Sequence, residues 1–387
     1  MIAPWRSLRQ FCLSVLSLMP LVTMASALEP VPFASLPGWQ RDDHAEALGA
    51  FRRSCAEIIA EGAAFTRPVV FGGSRQHWIG ICEIASHEGD PRQFFETYFR
   101  AFRVVDESRP EGLFTGYYEP EVEGSRMPDA VFNVPLYARP SDLIAFDRQQ
   151  QETGLSYGRL VGGTPRAYFT RREIEQGAVA GQGLEIFWLK DWADAFFIHI
   201  QGSGRVRLRD GTVARLAFAA KSGRPYTSIG TVLMERGVFT REELSMQALR
   251  AWMAKRPEEA RELMWQNESF IFFREVELED PDLGALGAQN VQLTPLRSIA
   301  IDRSLWMFGT PVWLNTMAPT GRNAELTPFR KLLIAQDTGS AIKGAARGYI
   351  FWGFGDDAAL TAGHMKSPGM MTVLLPVGLA RDLGLLP

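Results

Sequence analysis

Short apolar segments, each ended within about eight residues by Gly, Pro or Asn, fill the second half of the chain, and this spacing restricts the fold more than any other feature. Leu184 to Leu189 and Phe196 to Ile200 read as strands, as do Thr212 to Phe218, Ser269 to Val276, Val291 to Thr294, Ser298 to Ile301, Pro311 to Leu314, Lys331 to Ala335 and Met371 to Leu375. Such segments suit a small barrel, which closes its sheet and leaves no edge unpaired. Asp210-Gly211 predicts a type I′ hairpin turn. Ahead of it, Val206 and Leu208 are expected to face one way, and Arg205, Arg207 and Arg209 the other. One stretch departs from the pattern. From about Ser228 to Asn267 the apolar period is helical, and Thr240 and Glu243 are spaced as a capping box. The expected class is mainly β with peripheral helices.

The first hundred residues read differently. Arg6 and Arg9, the apolar run Phe11 to Met24 and Ala25-Ser26-Ala27 describe a secretory signal peptide over 1–27, with Leu28 as the mature N-terminus. No Cys follows the cleavage site directly, so no lipid anchor is expected there. Leu48, Phe51, Cys55, Ile58 and Ile59 recur at helical spacing between Asp42 or Asp43 as N-cap and Gly62. Asp90-Pro91 opens a second helix, and its stripe Phe94, Phe95, Tyr98, Phe99 and Phe102 belongs to a core. Cys55 and Cys82 remain after cleavage. Export allows a disulfide between them worth roughly 3 kcal/mol, and two buried free thiols fit the sequence as well.

Composition excludes several functions. With 41 Lys+Arg against 44 Asp+Glu the formal charge is −3, which supplies no field to gather nucleic acid. The five His are scattered, with no H-E-x-x-H or paired Cys ligands, so neither a metal site nor a cofactor is expected. A Walker loop and G-x-S-x-G are absent, and Gly353-x-Gly355-x-x-Ala358 lacks the βαβ setting of a dinucleotide site. Four polar, Gly-rich blocks stand out instead: Gly112 to Pro120, Gln201 to Gly204, Ser245 to Gln247 and Gln336 to Gly344. Glycine admits a ligand close to the backbone, Thr, Gln and Asp direct hydrogen bonds, and Tyr offers an apolar face to a sugar ring. Together they point to a carbohydrate groove with Thr115, Gly116, Tyr117, Gln201, Gly202, Ser203, Gln247 and Lys343 as candidate substrate contacts.

Phe114-Thr115-Gly116-Tyr117-Tyr118, His199-Ile200-Gln201-Gly202-Ser203-Gly204, Tyr226-x-x-Ile229-Gly230, Ser245-Met246-Gln247, Asn267-x-Ser269-Phe270-Ile271-Phe272-Phe273 and Ala335 to Gly344 occur in order along the chain. In these segments the sequence resembles the membrane-bound lytic murein transglycosylase A family. The resemblance implies a double-psi β-barrel assembled from 28–120 and 276–387, a second β domain inserted over 121–275, and peptidoglycan glycan strands held between them. It implies work in the periplasm, alongside the outer membrane. It also implies the reaction: cleavage of the β-1,4 bond between N-acetylmuramic acid and N-acetylglucosamine, closing a 1,6-anhydro ring without water. One Asp can then serve as acid and base, because the sugar's own C6 hydroxyl replaces water.

The sequence departs from the family at one place. Asp337 matches the first of two aspartates in the C-terminal segment, and Tyr349 stands where the second, catalytic one is expected. A phenol, with a reference pKa near 10, is a poor base. Three accounts remain open: a glycan-binding protein without turnover, Asp337 acting as the acid/base, or Asp356 or Asp357 entering from the next turn. Asp337 also has a purely structural reading, as a carboxylate that organises its loop through backbone N–H bonds.

Overall fold

The computed structural model describes residues 26–62, 65–106, 111–146, 155–277, 280–321, 323–339 and 341–386. Residues 1–25, nearly all of the expected signal peptide, lie outside them; Ser26 and Ala27 open the first strand. Strand β1 (Ser26–Val31) leads to helices α1 (His44–Ile59), α2 (Gln76–Ala85) and α3 (Pro91–Tyr98), then to β2 (Phe99–Asp106) and β3 (Gly112–Glu119). Next come β4 (Glu121–Ser125), β5 (Val134–Tyr137), β6 (Ile144–Ala145), β7 (Tyr157–Val161), β8 (Thr164–Arg166), α4 (Arg171–Glu173) and β9 (Glu185–Leu189). Helix α5 (Trp192–Gln201), β10 (Gly204–Arg207), β11 (Val213–Lys221), α6 (Ile229–Glu235), α7 (Met246–Lys255), α8 (Pro257–Met264) and β12 (Ile271–Val276) complete the middle of the chain. The rest is β13 (Ser298–Ile301), β14 (Pro311–Thr320), β15 (Glu325–Thr338), β16 (Arg347–Phe354), α9 (Gly355–His364), β17 (Lys366–Pro376) and α10 (Val377–Asp382).

Six strands close on themselves in the order β17-β14-β15-β13-β16-β3, since β3 also pairs with β17. The barrel is mixed: β13 runs parallel to β15 and β16 parallel to β3, and its other pairings are antiparallel. Strands β1 and β2 extend it beyond β17. A second six-stranded sheet, β12-β11-β10-β4-β9-β5, comes from the middle of the chain, and a bridge between Ala138 and Phe273 brings its two ends together. Closure satisfies the backbone groups that an open edge would expose.

Most expected elements stand. Asp43 caps α1 by accepting from the Ala45 and Glu46 amides, and Asp90 caps α3, with Pro91 as its first residue. Phe94, Phe95, Phe99 and Phe102 are buried with Phe51 and Trp78, so the stripe is core, but the helix ends at Tyr98 and Phe99 and Phe102 lie on β2, not on the helix as expected. A disulfide joins Cys55 on α1 to Cys82 on α2.

Four expectations fail locally. Phe196 to Ile200 is helix, not strand: Asp191 caps α5 through the Asp194 amide, and Gly202 ends it at φ +78°. This helix lies between two cores, with Ala195 and Ile198 facing the second sheet and Phe196 and Phe197 facing α6, α7 and α8. Burial on two sides removes the polar stripe that would have shown the helical period. At Asp210-Gly211 the Gly211 amide bonds Leu208 and only Gly211 has positive φ, which makes a type I turn with a left-handed glycine rather than type I′. Val291 to Thr294 is a loop that contributes a single bridge, between Gln292 and Leu286. Finally, Arg205 does not share an outer face with Arg207 and Arg209: it is buried against Glu119, whereas Arg207 and Arg209 are exposed and pair with Glu121 and Asp129.

Candidate active site

A cleft of about 420 Å³ separates the barrel from the second sheet. Its barrel wall presents Gly116, Tyr117, Ala300, Asp337 and Tyr349, and the opposite wall presents Arg171, His199, Gln201, Lys221, Arg224 and Tyr226. Alternation along β15 turns Asp337 outward, because its neighbour Gln336 is locked inside. The Gln336 amide donates to the Ala50 carbonyl at 2.8 Å and to Ser54 Oγ at 3.0 Å, and its Oε1 accepts from Ser298 Oγ at 2.5 Å. A buried polar group with all its partners fixes strand register firmly.

The carboxyl of Asp337 is asymmetric. Oδ1 accepts two backbone amides, Ala288 N and Thr338 N, each at 2.9 Å. That is the loop-organising role expected as its structural reading, and one oxygen performs it. Burial holds the carboxyl above the usual carboxylate range, against the lowering effect of those amides and of the neighbouring Tyr117 phenol. The Tyr117 hydroxyl is buried beside it without a well-formed hydrogen bond, and burial followed by the Asp337 charge pushes its pKa up. Such a carboxyl retains its proton at higher pH than a solvated one, as a general acid requires.

Tyr349 lies on the same outer face. Ala300 in β13 pairs with Asp337 on one side and with Tyr349 on the other, and Tyr349 pairs in turn with Thr115 of β3. The Arg347 guanidinium stacks over the Tyr349 ring at 4.3 Å and donates to Thr115 Oγ1 at 3.3 Å. Across the cleft, Tyr226 comes close enough for its phenol to interact with that of Tyr349.

On the opposite wall Arg171 acts as a hub. It donates to the carbonyls of Asn267 (3.1 Å) and Ser269 (2.7 Å), to Glu175 (3.2 Å) and to His199 Nδ1 (2.8 Å). Since Nδ1 accepts, the proton of a neutral His199 is assigned to Nε2. Burial first, and the Arg171 charge second, hold the His199 pKa well below its ordinary value, so the ring is neutral near pH 7.

The other sequence candidates are dispersed. Gly116 and Tyr117 line the cleft, although the missing side chain at Gly116 makes room for Trp352, whose ring a Cβ would meet at 2.6 Å. Gln201 lines it too, with Oε1 3.5 Å from the Tyr118 amide. Gly202 serves as the C-cap of α5, and Ser203 follows it outside the cleft lining. Gln247 lies on the other side of β3, in a second cavity of about 540 Å³ lined also by Tyr118, Asp356 and Asp357. Asp356 and Asp357 form the first turn of α9 there, away from Asp337. Lys343 is exposed, with its ammonium 4.0 Å from Asp302. Sequence reasoning did not assign roles to Arg171, Lys221 and Arg224. The Thr170/Glu173 capping box, which fixes the start of α4, was the one local signal near Arg171.

Among the described residues, no group of three His, Cys, Asp or Glu could hold a metal ion, and no helix is long and apolar enough to cross a membrane. Two family models match the chain: the MltA specific insert domain over residues 113–274 and the 3D domain over 297–375. Membrane-bound lytic murein transglycosylase A of Vibrio cholerae is 32% identical over 324 residues, covering 81% of this chain and 78% of that protein. The crystal structure of a membrane-bound lytic murein transglycosylase from Agrobacterium tumefaciens superimposes with a TM-score of 0.81 at 34% identity, covering 92% of this chain and 99% of the other. Escherichia coli MltA with bound chitohexaose has a TM-score of 0.63 at 26% identity, covering 91% and 92%.

Proposed function

The chain belongs to the membrane-bound lytic murein transglycosylase A family of enzymes, and from that premise we propose that it cleaves peptidoglycan with Asp337 as its acid/base. The observation that carries this reading is the Asp337 carboxyl, with one oxygen held by two amides and its pKa raised by burial within the cleft. The substrate is the β-1,4 bond between N-acetylmuramic acid and N-acetylglucosamine. Protonated Asp337 gives its proton to the bridging oxygen as the C1–O bond breaks, and the bonding pair leaves with that oxygen. The carboxylate then takes the C6 hydroxyl proton while O6 bonds C1, which yields a 1,6-anhydro ring and returns Asp337 to its starting state. No second carboxylate is required, because no water attacks.

In this reading the Tyr349 phenol hydrogen-bonds the sugar from the other side of Ala300, while Tyr117 and Gln201 hold the glycan. The barrel corresponds to a double-psi barrel built from 28–120 and 276–387, with 121–275 inserted, and the protein works after export to the periplasm. Mixed parallel and antiparallel pairing supports the barrel type. Incubating the mature protein with sacculi and weighing the soluble products by mass spectrometry tests the reaction: 1,6-anhydro-muropeptides are expected, and their absence from prolonged digests would overturn it. Tyr349 itself favours a second reading, a glycan-binding protein without turnover. That protein would sediment with sacculi and release nothing.

A further inference from the structure

Three cleft-lining residues among those described carry Arg or Lys side chains, and they are differently engaged. Arg171 is tied to Glu175, His199 and two carbonyls. Arg224 donates to the Tyr168 carbonyl at 2.7 Å and lies 3.9 Å from the exposed Glu268. Among the described residues Lys221 has no hydrogen-bond or ion-pair partner; its ammonium lies 6.0 Å from the centre of the Tyr157 ring. The residue is half-buried at the end of β11, where its backbone pairs with Ile271.

The Lys221 ammonium thus has no acidic partner there, only the face of the Tyr157 ring at the outer limit of a cation–π contact. The ligand such a cation takes best is a carboxylate, through a charge-assisted hydrogen bond. A chain of N-acetylglucosamine alone carries none, whereas each muramic acid residue bears a lactyl ether that ends in a carboxylate or in an acidic peptide. The arginines of β10 and its turn cannot provide this contact, because each already has an acidic partner. We infer that Lys221 reads the carboxylate-bearing substituent of muramic acid and so makes the cleft select wall glycan over uncharged chitin. This rests on the glycan reading of the cleft and adds to it a residue that sets specificity.

Binding of the full mature protein to three probes separates the possibilities: chitohexaose, glycan strands freed of peptide by an amidase, and strands that keep their stem peptides. Wild type is expected to bind the carboxylated strands more tightly than chitohexaose, with the difference shrinking as salt rises. In Lys221→Met the affinity ratio should fall about tenfold, the worth of one charge-assisted contact, and Lys221→Arg should recover most of it. Lys221→Gln serves as a second neutral variant if the Met protein does not fold. Loss on peptide-free strands identifies the lactyl carboxylate, and loss on peptide-bearing strands alone identifies the stem peptide. A wild-type ratio in both neutral variants overturns this inference while leaving the glycan reading intact. Failure of wild type to bind any of the three overturns both.

Discussion

Asp337 and Tyr349 stand on either side of Ala300, one residue of β13 that pairs with both. Carboxyl and phenol therefore share one face of the barrel, their backbones about 10 Å apart at two strand spacings, with only a methyl group between them. That gap suits a sugar ring approached from both sides. In the reaction proposed above it also separates the duties of the two groups: the buried carboxyl exchanges protons, and the half-exposed phenol, beneath the Arg347 guanidinium, orients.

Asp337→Asn should reduce release of anhydro products by at least about a hundredfold, the usual contribution of a general acid/base, while chitohexaose binding persists. The amide oxygen can still accept from Ala288 and Thr338, so the loop keeps its anchor. Stability supplies an independent readout. The folded carboxyl has a raised pKa, so the native state binds more protons than the unfolded chain between the two pKa values, and wild-type stability falls as pH rises through that window. The variant lacks this penalty. Its unfolding midpoint should exceed wild type at pH 7 and converge with it below about pH 4, near the unfolded Asp value. Identical midpoint curves for the two proteins would mean that the Asp337 carboxyl is not destabilised by burial.

Tyr349→Asp places a second carboxyl on the same face, next to the Arg347 guanidinium that now covers the phenol ring. Product release from sacculi should rise at least about tenfold, since a carboxyl is far closer than a phenol to the pKa an acid/base needs. Tyr349→Phe removes one hydrogen bond and should lower turnover by about five- to tenfold, roughly 1 kcal/mol. A Phe variant as fast as wild type would remove the phenol from the site, and an inert Asp variant would show that position 349 does not reach the scissile bond.

Much of this arrangement was legible in the sequence, for identifiable reasons. Strands β9, β11 to β15 and β17 announced themselves because each alternates or breaks at Gly, Pro or Asn, and α1 and α3 because Asp43 and Asp90 cap them. Helix α5 was hidden because its residues are buried on both sides, which erases the period. Within the cleft, Tyr117, Gln201 and Asp337 sit in Gly-rich blocks that stand out locally, whereas Lys221 and Arg224 are single charges whose meaning depends on what lies across the gap. Gln247 and Lys343 look equivalent to those residues in sequence. Only the three-dimensional course of β3 and of the loop after β15 directs them elsewhere.

Glu119 joins the two sheets. It ends β3 fully buried, and its Oε2 accepts from Arg205 Nε of β10 at 3.0 Å and Arg215 Nη2 of β11 at 3.4 Å. The Arg205 guanidinium also stacks on Phe354, at the end of β16, at 3.3 Å. Glu119→Gln would leave two buried or half-buried guanidinium groups without their counter-charge. A loss of about 3–5 kcal/mol in urea unfolding is expected, with the larger part of the effect on the junction between the sheets. A cost below about 1 kcal/mol would indicate that water or carbonyls, such as that of Leu283, already satisfy the arginines.

The Cys55–Cys82 bond spans 27 positions and fastens α1 to α2 outside the cleft lining. In the chain-entropy model a loop of that length stabilises by roughly 3–4 kcal/mol, through the freedom it removes from the unfolded chain. A Cys55→Ala/Cys82→Ala variant, and wild type in reductant, should therefore unfold at lower temperature than the oxidised protein, by similar amounts. Because α1 also supplies Ser54 and the Ala50 carbonyl to Gln336, loosening it reaches the residue next to Asp337. Activity at low temperature should survive, and the temperature at which activity is lost should follow the unfolding midpoint downward. If activity vanished well below that midpoint, α1 would be positioning Asp337 directly, and the disulfide would belong to the support of the site.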